Sequence, residues 1–212
     1  MSKLAELHDK ETGSLEVLDN EHVILLGPSG SGKTVIIKRL LGVHGNPLRR
    51  RGSPLSDRCA YVPQSDGVFL DATVLDNVTH PSAHAPSVPE QQARDYLDLV
   101  GLSERTAVQT AALSISDRRR VSLARALSRG KPLLVIDGDL DPTIGALLTD
   151  LLDTIPHVRS LLLTSCVADA RVARADRVAL VHGGRVLAQD TVAALRQAVD
   201  PDIRSALAWV AR

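Results

Sequence analysis

Short apolar runs alternate along this chain with longer stretches of helical periodicity. In chain order, the apolar runs are 14–18, 22–26, 59–62, 132–137 and 160–164. Each run predicts a strand, and the runs at 22–26 and 160–164 predict buried strands because they contain hardly any polar residues. Two further runs, 177–181 and 185–188, flank Gly183-Gly184 and predict a hairpin.

The stretches between these runs favour helices. Helices are predicted at 34–41, 74–78, 90–100, 143–155, 191–199 and 201–210, with another from Ser116 or Asp117 to Leu127. Thr73 stands where it can cap the second of them, and Gly101 ends the third. Strands that alternate with helices indicate an α/β protein with a mainly parallel sheet. The length of 212 residues predicts one domain, 1–212, with the helical segment 72–127 inserted as a subdomain.

A glycine-rich segment follows the 22–26 strand and carries the clearest chemical signal. It consists of Gly27, Pro28, Ser29, Gly30, Ser31, Gly32, Lys33 and Thr34, which is the spacing of a phosphate-binding loop. Glycines let the backbone curl tightly with its N–H groups pointing inward, and the following helix directs its N-terminus at the phosphates. Lys33 is expected to reach the β- and γ-phosphates of a nucleotide, and the Thr34 hydroxyl to bind Mg²⁺.

Composition narrows the classes of function. Lys+Arg and Asp+Glu both number 25, so the formal net charge is zero, and aromatic residues make up only 2%. Both values argue against nucleic-acid binding through bulk positive charge or base stacking. Cys59 and Cys166 lack the spacing of a metal site, as expected in a reducing compartment. No apolar run approaches the ~18 residues of a membrane span, and residues 1–9 contain no signal-peptide core.

Five segments, in order, resemble the nucleotide-binding domain of ATP-binding cassette (ABC) transporters. They are the phosphate-binding loop, 61–64 with 73–78, 113–127, 133–137, and 175–178 with 182–187. They are similar to that family's Walker A motif, Q-loop, signature segment, Walker B strand and closing hairpin, and the resemblance covers about residues 14–195. It implies a P-loop NTPase fold, with a RecA-like core, a mainly parallel sheet, a small antiparallel β part and an inserted α-helical subdomain.

The resemblance also implies cofactors and partners. In the family, two such domains meet head to tail, and each ATP lies between the phosphate-binding loop of one and the signature motif of the other. The cofactors implied are ATP and Mg²⁺, with Thr34, Gln64 and Asp137 on the metal side. Gln64 would sense Mg²⁺ and the attacking water, and Asp137 would hold Mg²⁺ through water. The partners implied are a transmembrane permease subunit and a second ABC ATP-binding subunit, identical or different, at the cytoplasmic face of the cell membrane.

The segment 64–70 is apolar at its end, where it carries Val68, Leu70 and the chain's only phenylalanine, Phe69. In the family this region borders the cleft that receives the permease's coupling helix. The alternative is that these side chains belong to the core of the helical subdomain.

The chain departs from the family at the position that normally supplies the general base. The glutamate after the Walker B aspartate is replaced by Gly138, which has no side chain to accept a proton. Loss of a positioned general base costs roughly 10²–10⁴ in rate. Asp139 is the candidate substitute, although neighbouring strand residues point to opposite faces of a sheet.

Three further features of the family are altered. In the signature, the residues after Leu113 are Ser114, Ile115, Ser116 and Asp117, so both glycines of the family's LSGGQ motif are replaced. Asp117 brings negative charge towards a γ-phosphate, although it also suits a helix N-terminus. Cys166 stands at the place of the switch histidine, and a neutral thiol is a weak hydrogen-bond donor. Residues 1–26 contain no Phe, Tyr or Trp to stack on adenine, and His8 is interpreted as a surface residue.

Together these features predict an ATP-binding subunit of an ABC-type membrane complex that binds Mg-ATP with weak or no hydrolysis. One alternative is an active transport ATPase in which Asp139 or a partner group serves as the base. Another is a nucleotide-dependent regulatory or scaffold subunit, in which ATP binding only stabilises assembly. A P-loop small-molecule kinase is a more distant alternative, because it would make the signature-like and hairpin segments coincidental.

Overall fold

The computed structural model describes residues 2–42, 58–80, 87–138, 148 and 155–210. The strands, in chain order, are β1 Lys3–Asp9, β2 Gly13–Leu18, β3 His22–Leu26, β4 Cys59–Val62, β5 Leu133–Ile136, β6 Ser160–Ser165, β7 Arg177–His182 and β8 Arg185–Asp190. Within these residues, six strands form one sheet in the order β4-β5-β6-β3-β7-β8, and the pairs are parallel except for β7 with β8. Strands β1 and β2 form a separate antiparallel sheet. The predicted α/β fold with a mainly parallel sheet and a small antiparallel part is confirmed.

Helices cover both faces of the main sheet. In chain order the described α-helices are α1 Lys33–Leu40, α2 Val74–Thr79, α3 Glu90–Leu99, α4 Ile115–Leu127, α5 Ala170–Arg174, α6 Val192–Arg196 and α7 Pro201–Val210. Helices α2, α3 and α4 all fall between β4 and β5, with short 3₁₀ helices at Ser103–Arg105 and Thr110–Ala112. None of the described helices is long and apolar enough to cross a membrane. The helix predicted at 143–155 lies outside the described residues, apart from the helical, buried Leu148 and the buried Ile155.

Two apolar clusters, one on each face of the sheet, form the core. Along β3 the side chains alternate, so Ile24 packs into one cluster and its neighbours Val23 and Leu25 into the other. The first cluster joins the sheet to α2, α3 and α4, and the second joins it to α1 and the β1–β2 hairpin. Burial on both faces explains why the interior strand β5 is apolar at every position.

Among the described strands and α-helices, one strand and one helix were not predicted from the sequence. Four of the seven residues of β1 are polar or charged, and only Leu4 and Ala5 among its residues are buried, so no apolar run marks it. Its pairing with β2 forms it, through a register that extends to Asp9 opposite Gly13. Helix α5 has only five residues, which is too short for helical periodicity to show.

The predicted start of α4 at Ser116 or Asp117 is wrong, because the helix begins at Ile115 and Ser114 is its N-cap. The Ser114 hydroxyl accepts from the Asp117 backbone N–H at 3.1 Å and donates to the Asp117 carboxylate at 2.8 Å. Asp117 is therefore the third residue of the helix, and its carboxylate accepts a hydrogen bond from the hydroxyl of the N-cap residue. The earlier start gives the first turn both a polar cap and a negative charge near the positive end of the helix dipole.

The buried Asn77 joins α2 to the loop before it, and we expect it to matter for stability. Its carboxamide oxygen accepts from the Phe69 backbone N–H at 2.7 Å, and its nitrogen lies 2.9 Å from the Phe69 carbonyl and from the Thr110 hydroxyl. Asn77→Ala is expected to lower the free energy of unfolding by about 2–3 kcal/mol, because it leaves buried polar groups without partners. Denaturant unfolding measures the change.

The control for this prediction is Gln91→Ala, which removes an exposed contact to Asp95 on α3. That variant is expected to change stability by no more than about 0.5 kcal/mol. Equal losses in the two variants would contradict the role given to Asn77.

Candidate functional site

The candidate site lies at the carboxyl ends of the parallel strands, where four loops meet. The loops follow β3, β4, β5 and β6, and the first and last of these are joined by a hydrogen bond from the Gly27 N–H to the Ser165 carbonyl at 3.2 Å. In parallel α/β sheets, ligands commonly bind outside this edge. The loops enclose a cavity of about 320 Å³, which is lined by 29–35 together with Gln64, Asp137, Gly138, Thr164 and Cys166.

The glycine-rich loop packs tightly against the β7–β8 hairpin, and its glycines make that packing feasible. A Cβ on Gly27 would lie 2.2 Å from the Val181 carbonyl oxygen, and one on Gly32 would lie 2.7 Å from the Gly184 Cα. Gly32 also has φ +97°, in the left-handed region that favours glycine, and it caps α1. The loop therefore places the N-terminus of α1 at the cavity, where backbone N–H groups can face an anion.

Lys33 is almost fully buried at the rim of this loop. Its Nζ donates to the carbonyl oxygens of Gly27 at 2.6 Å and Pro28 at 2.8 Å, and it lies 3.3 Å from Cys166 Sγ. The structure therefore places Cys166 beside Lys33. The ammonium is thereby positioned over the same cavity that the loop amides border.

Three oxygen atoms converge beside the loop. The Thr34 hydroxyl lies 3.1 Å from Asp137 Oδ1 and 3.4 Å from Gln64 Oε1. The structure thus brings together all three residues predicted for Mg²⁺ binding. Carboxylate, hydroxyl and amide oxygens are the ligand types that Mg²⁺ prefers, and the ion keeps several waters in addition, so the donor set fits the metal.

Two residues that sequence reasoning missed also contact Asp137. The Tyr61 hydroxyl donates to Asp137 Oδ2 at 3.3 Å, and the Thr164 hydroxyl lies 3.4 Å from Asp137 Oδ1. Burial, together with the Asp137 carboxylate, raises the pKa of Tyr61, so the phenol stays protonated and remains a donor. Their position near the carboxyl ends of β4 and β6, the strands on either side of β5, is the signal that could have identified them.

Gly138 follows Asp137 with φ +89°, in the left-handed region. Its N–H donates to the Thr164 hydroxyl at 2.6 Å, which ties this conformation to β6. A Cβ at this position would lie 3.0 Å from Gln64 Cγ and 3.5 Å from Arg119 Nη2. Both the backbone conformation and the space therefore suit glycine. Asp139, the candidate substitute base, lies outside the described residues.

A second cavity, of about 390 Å³, lies between the sheet and helices α6 and α7. Its lining is apolar except for Arg196 and Arg204, so it lacks the converging oxygens of the loop site. The chemistry of the described residues therefore favours the smaller cavity as the functional site.

Comparison with known proteins identifies the family of this chain. A family model described as ABC transporter matches residues 11–140, which include the phosphate-binding loop, Gln64 and Asp137. This chain belongs to the ABC transporter family. The resemblance found in its motifs is thereby confirmed.

Individual ABC proteins show how far the similarity extends. The chain is 34% identical to the aliphatic sulfonates import ATP-binding protein SsuB of Ralstonia nicotianae, over 81% of this chain and 63% of that protein. It is 33% identical to the methionine import ATP-binding protein MetN of Mesorhizobium japonicum, over 84% of this chain and 55% of that protein. The chain thus spans less than two thirds of the length of either relative.

A solved structure of an ATP-binding subunit of an ABC transporter superimposes with a TM-score of 0.73 and covers 98% of both chains. Its sequence identity with this chain is 21%, so the likeness shows the shared ABC fold.

Residues 114–117, which resemble the family's signature motif, lie at the start of α4. Ile115 is 70% exposed, and Asp117 forms an ion pair with Arg105 at 2.8 Å. Among the described residues that line the cavity beside the glycine-rich loop, none belongs to 114–117. The structure therefore does not bring residues 114–117 to the loop site of the same chain.

The loop that follows β4, 63–70, is here called the Q-loop after the family motif that it resembles, and it is packed against α4 through arginines. Arg118 pairs with Asp66 at 3.0 Å, and Arg125 lies 4.6 Å over the Phe69 ring and donates to the Gly67 carbonyl at 3.1 Å. Phe69 is nevertheless 40% exposed, and Leu70 is 47% exposed. These two apolar side chains are therefore partly free to meet a partner, whereas Val68 packs against the core.

Proposed function

We propose that this chain is an ATP-binding subunit of an ABC transporter complex that binds Mg-ATP and hydrolyses it slowly or not at all. The observation that carries the proposal is a contrast at the end of β5. Asp137 lies 3.1 Å from the Thr34 hydroxyl, whereas the next residue, Gly138, has no side chain. The groups that bind phosphate and metal are present, and the group that would activate water is absent from its usual place.

Nucleotide binding is supported by the loop and by Lys33. The Lys33 ammonium now donates to the neutral carbonyls of Gly27 and Pro28. Phosphate oxygens carry negative charge and form stronger hydrogen bonds with an ammonium than carbonyls do. Thr34, Gln64 and Asp137 are the residues that would hold Mg²⁺, which neutralises phosphate charge when it is bound.

Impaired hydrolysis is supported by the residues at three positions that would each act on the same hydrolysis reaction. Gly138 offers no carboxylate to orient water, and its left-handed backbone is fixed by the Thr164 hydroxyl. Cys166 stands beside Lys33 with a thiol where the family has an imidazole. Ile115 places an exposed apolar side chain in the segment that would meet the nucleotide of a second subunit.

The partners proposed are a transmembrane permease subunit and a second ABC ATP-binding subunit, identical or different. The exposed Phe69 and Leu70 support a permease contact, because exposed apolar side chains at the end of a site loop suit an interface. The exposed signature segment supports a second subunit. Such a complex would place this chain at the cytoplasmic face of the membrane, and import is the direction named for both SsuB and MetN.

We further propose that residues 1–212 form a single ABC domain with 72–127 as its helical subdomain. The insertion of α2, α3 and α4 between the neighbouring strands β4 and β5 supports this division.

The test measures Mg-ATP binding by calorimetry and phosphate release by the purified chain, alone and with its co-purified membrane complex. We expect binding in both settings. Turnover is expected to be below about 0.01 s⁻¹, because loss of a base lowers a typical rate of ~1 s⁻¹ by ~10² or more. Ordinary turnover by the pure chain that Lys33→Ala abolishes would contradict the proposal.

Two other outcomes would favour the alternatives. Turnover that appears only in the complex, and that Asp139→Asn removes, would support an active transport ATPase with a substitute base. Complex formation that depends on ATP but accepts a non-hydrolysable analogue equally well would support a regulatory or scaffold subunit.

A further inference from the structure

Arg119, on the second turn of α4, joins the two segments that carry the metal-side oxygens. Its Nη1 donates to the Gln64 carbonyl oxygen at 2.7 Å, and its Nη2 donates to the Asp137 carbonyl oxygen at 3.1 Å. The side chains of the same two residues lie 3.4 and 3.1 Å from the Thr34 hydroxyl. One guanidinium therefore binds the backbone carbonyls of two of the three residues that carry the candidate Mg²⁺ ligands.

The guanidinium lies beside Gly138, close to where a side chain at this position would begin. A Cβ on Gly138 would lie 3.5 Å from Arg119 Nη2 and 3.0 Å from Gln64 Cγ. A larger side chain there would compete with the arginine for the space between the Q-loop and the end of β5. The guanidinium is planar and presents its donors in a fixed fork, so two bonds from one fork set the spacing of two acceptors. A lysine offers a point charge on a flexible stem and cannot fix that spacing in the same way.

The two neighbouring arginines of α4 make different contacts. Arg118 pairs with the Asp66 carboxylate at 3.0 Å, and Arg120 lies 3.5 Å from the Val100 carbonyl at the end of α3. Arg118 thus touches the same loop as Arg119 but meets a side chain on it. This difference makes Arg118 a matched control.

We propose that Arg119 is a positioning residue for Mg-ATP. By clamping the Q-loop to the end of β5, it fixes the separation of Gln64 Oε1 and Asp137 Oδ1 and ties both to α4. Outer groups that orient metal ligands contribute to metal affinity, and their loss typically costs 10–100-fold. This inference rests on the proposed function, because it concerns how the same site takes its nucleotide and metal.

The first experiment compares ATP binding to the full chain with Mg²⁺ and with EDTA, by calorimetry. Arg119→Ala is expected to weaken Mg-ATP binding about 10-fold, while ATP binding in EDTA changes less than about 2-fold. Arg119→Lys is expected to lose about 3-fold, and Arg118→Ala less than about 2-fold, in Mg-ATP binding. A purely structural role for Arg119 would instead lower both affinities together.

The second experiment needs no nucleotide. Hydrogen exchange of the ligand-free chain, followed by mass spectrometry, is expected to be about 10-fold faster at 64–67 and 137–138 in Arg119→Ala than in the wild type. In Arg118→Ala the exchange at 137–138 is expected to stay unchanged. If Arg119→Ala does not fold, Arg119→Lys is compared with the wild type in the same way.

The outcomes separate this inference from the proposed function. Unchanged exchange at both segments, or equal loss with Mg²⁺ and with EDTA, would overturn the positioning role even if the wild type binds Mg-ATP. Failure of the wild type to bind Mg-ATP would overturn the proposed function. Exchange in the ligand-free protein would then still decide whether Arg119 clamps the two segments.

Discussion

Lys33→Ala is expected to weaken Mg-ATP binding by about 10- to 100-fold, which is the effect of losing a hydrogen-bonded charge from a largely buried site. The Lys33 ammonium lies over the cavity and is held there by Gly27 and Pro28. Alanine would remove the only positive side chain among the described residues that line the cavity. Calorimetric titration with Mg-ATP measures the loss of affinity.

The control is Lys38→Ala, on the same helix. Lys38 is exposed in the last turn of α1, so its loss changes the net charge by the same amount without touching the cavity. Its affinity for Mg-ATP is expected to match that of the wild type within about 2-fold, because exposed charges are screened. Equal affinities for the Lys33 and Lys38 variants would refute the placement of the nucleotide at this loop.

Much of the sheet was predictable from the sequence because its interior strands β5 and β6 are buried on both faces. Short runs such as 133–136 are apolar at every position, and this pattern predicts a strand that is buried on both faces. Strand β1 was not predictable, because a two-stranded hairpin with one exposed face needs few apolar residues and depends on its partner. The start of α4 was misplaced because several residues in a row can serve as caps, and only the bond between Ser114 and Asp117 selects one of them.

The site was predictable where one motif contains the residues that act together. Eight consecutive residues specify the phosphate loop, and Asp137 ends an apolar strand that leads to the same edge. The contacts of Tyr61, Thr164 and Arg119 were not predictable. Each residue reaches the site from a different element, and the residues beside it in the sequence do not indicate that it contacts Asp137. Their contacts with Asp137 depend on strand order in the sheet and on the path of α4 across the Q-loop.

The structure also shows the contacts around Gly138, the residue at which the family resemblance implies a glutamate. In the sequence, Gly138 is a single residue that differs from the glutamate implied by the family resemblance. In the structure, its backbone, the Thr164 hydroxyl and the Arg119 fork form one arrangement around a glycine. Several surrounding contacts therefore fit a glycine at 138, and they support the proposal that this chain binds nucleotide without ordinary hydrolysis.

Gly138→Glu is accordingly expected not to restore hydrolysis. Its φ of +89° is strained for any residue with a Cβ, and that atom would lie 3.0 Å from Gln64 Cγ. Strain and crowding together are expected to lower the free energy of unfolding by roughly 2–4 kcal/mol. The new carboxylate would also lie near the Arg119 guanidinium, and an ion pair there would hold it away from an attacking water. Phosphate release is expected to stay within about 3-fold of the wild type, far from the ~10²–10⁴ gain that a positioned base provides.

Two alanine variants separate the causes. Gly138→Ala has the same backbone strain and the same close Cβ without a carboxylate, so it is expected to lose most of the stability that Gly138→Glu loses. Gly183→Ala also has a positive φ, +54°, but its Cβ would meet no atom within 4 Å, so it isolates the backbone cost of about 1 kcal/mol. Thermal unfolding and phosphate release are measured on all three. A gain of 10²-fold or more in turnover by Gly138→Glu, with unchanged stability, would show that this backbone adapts to a side chain and that the missing carboxylate alone limits hydrolysis.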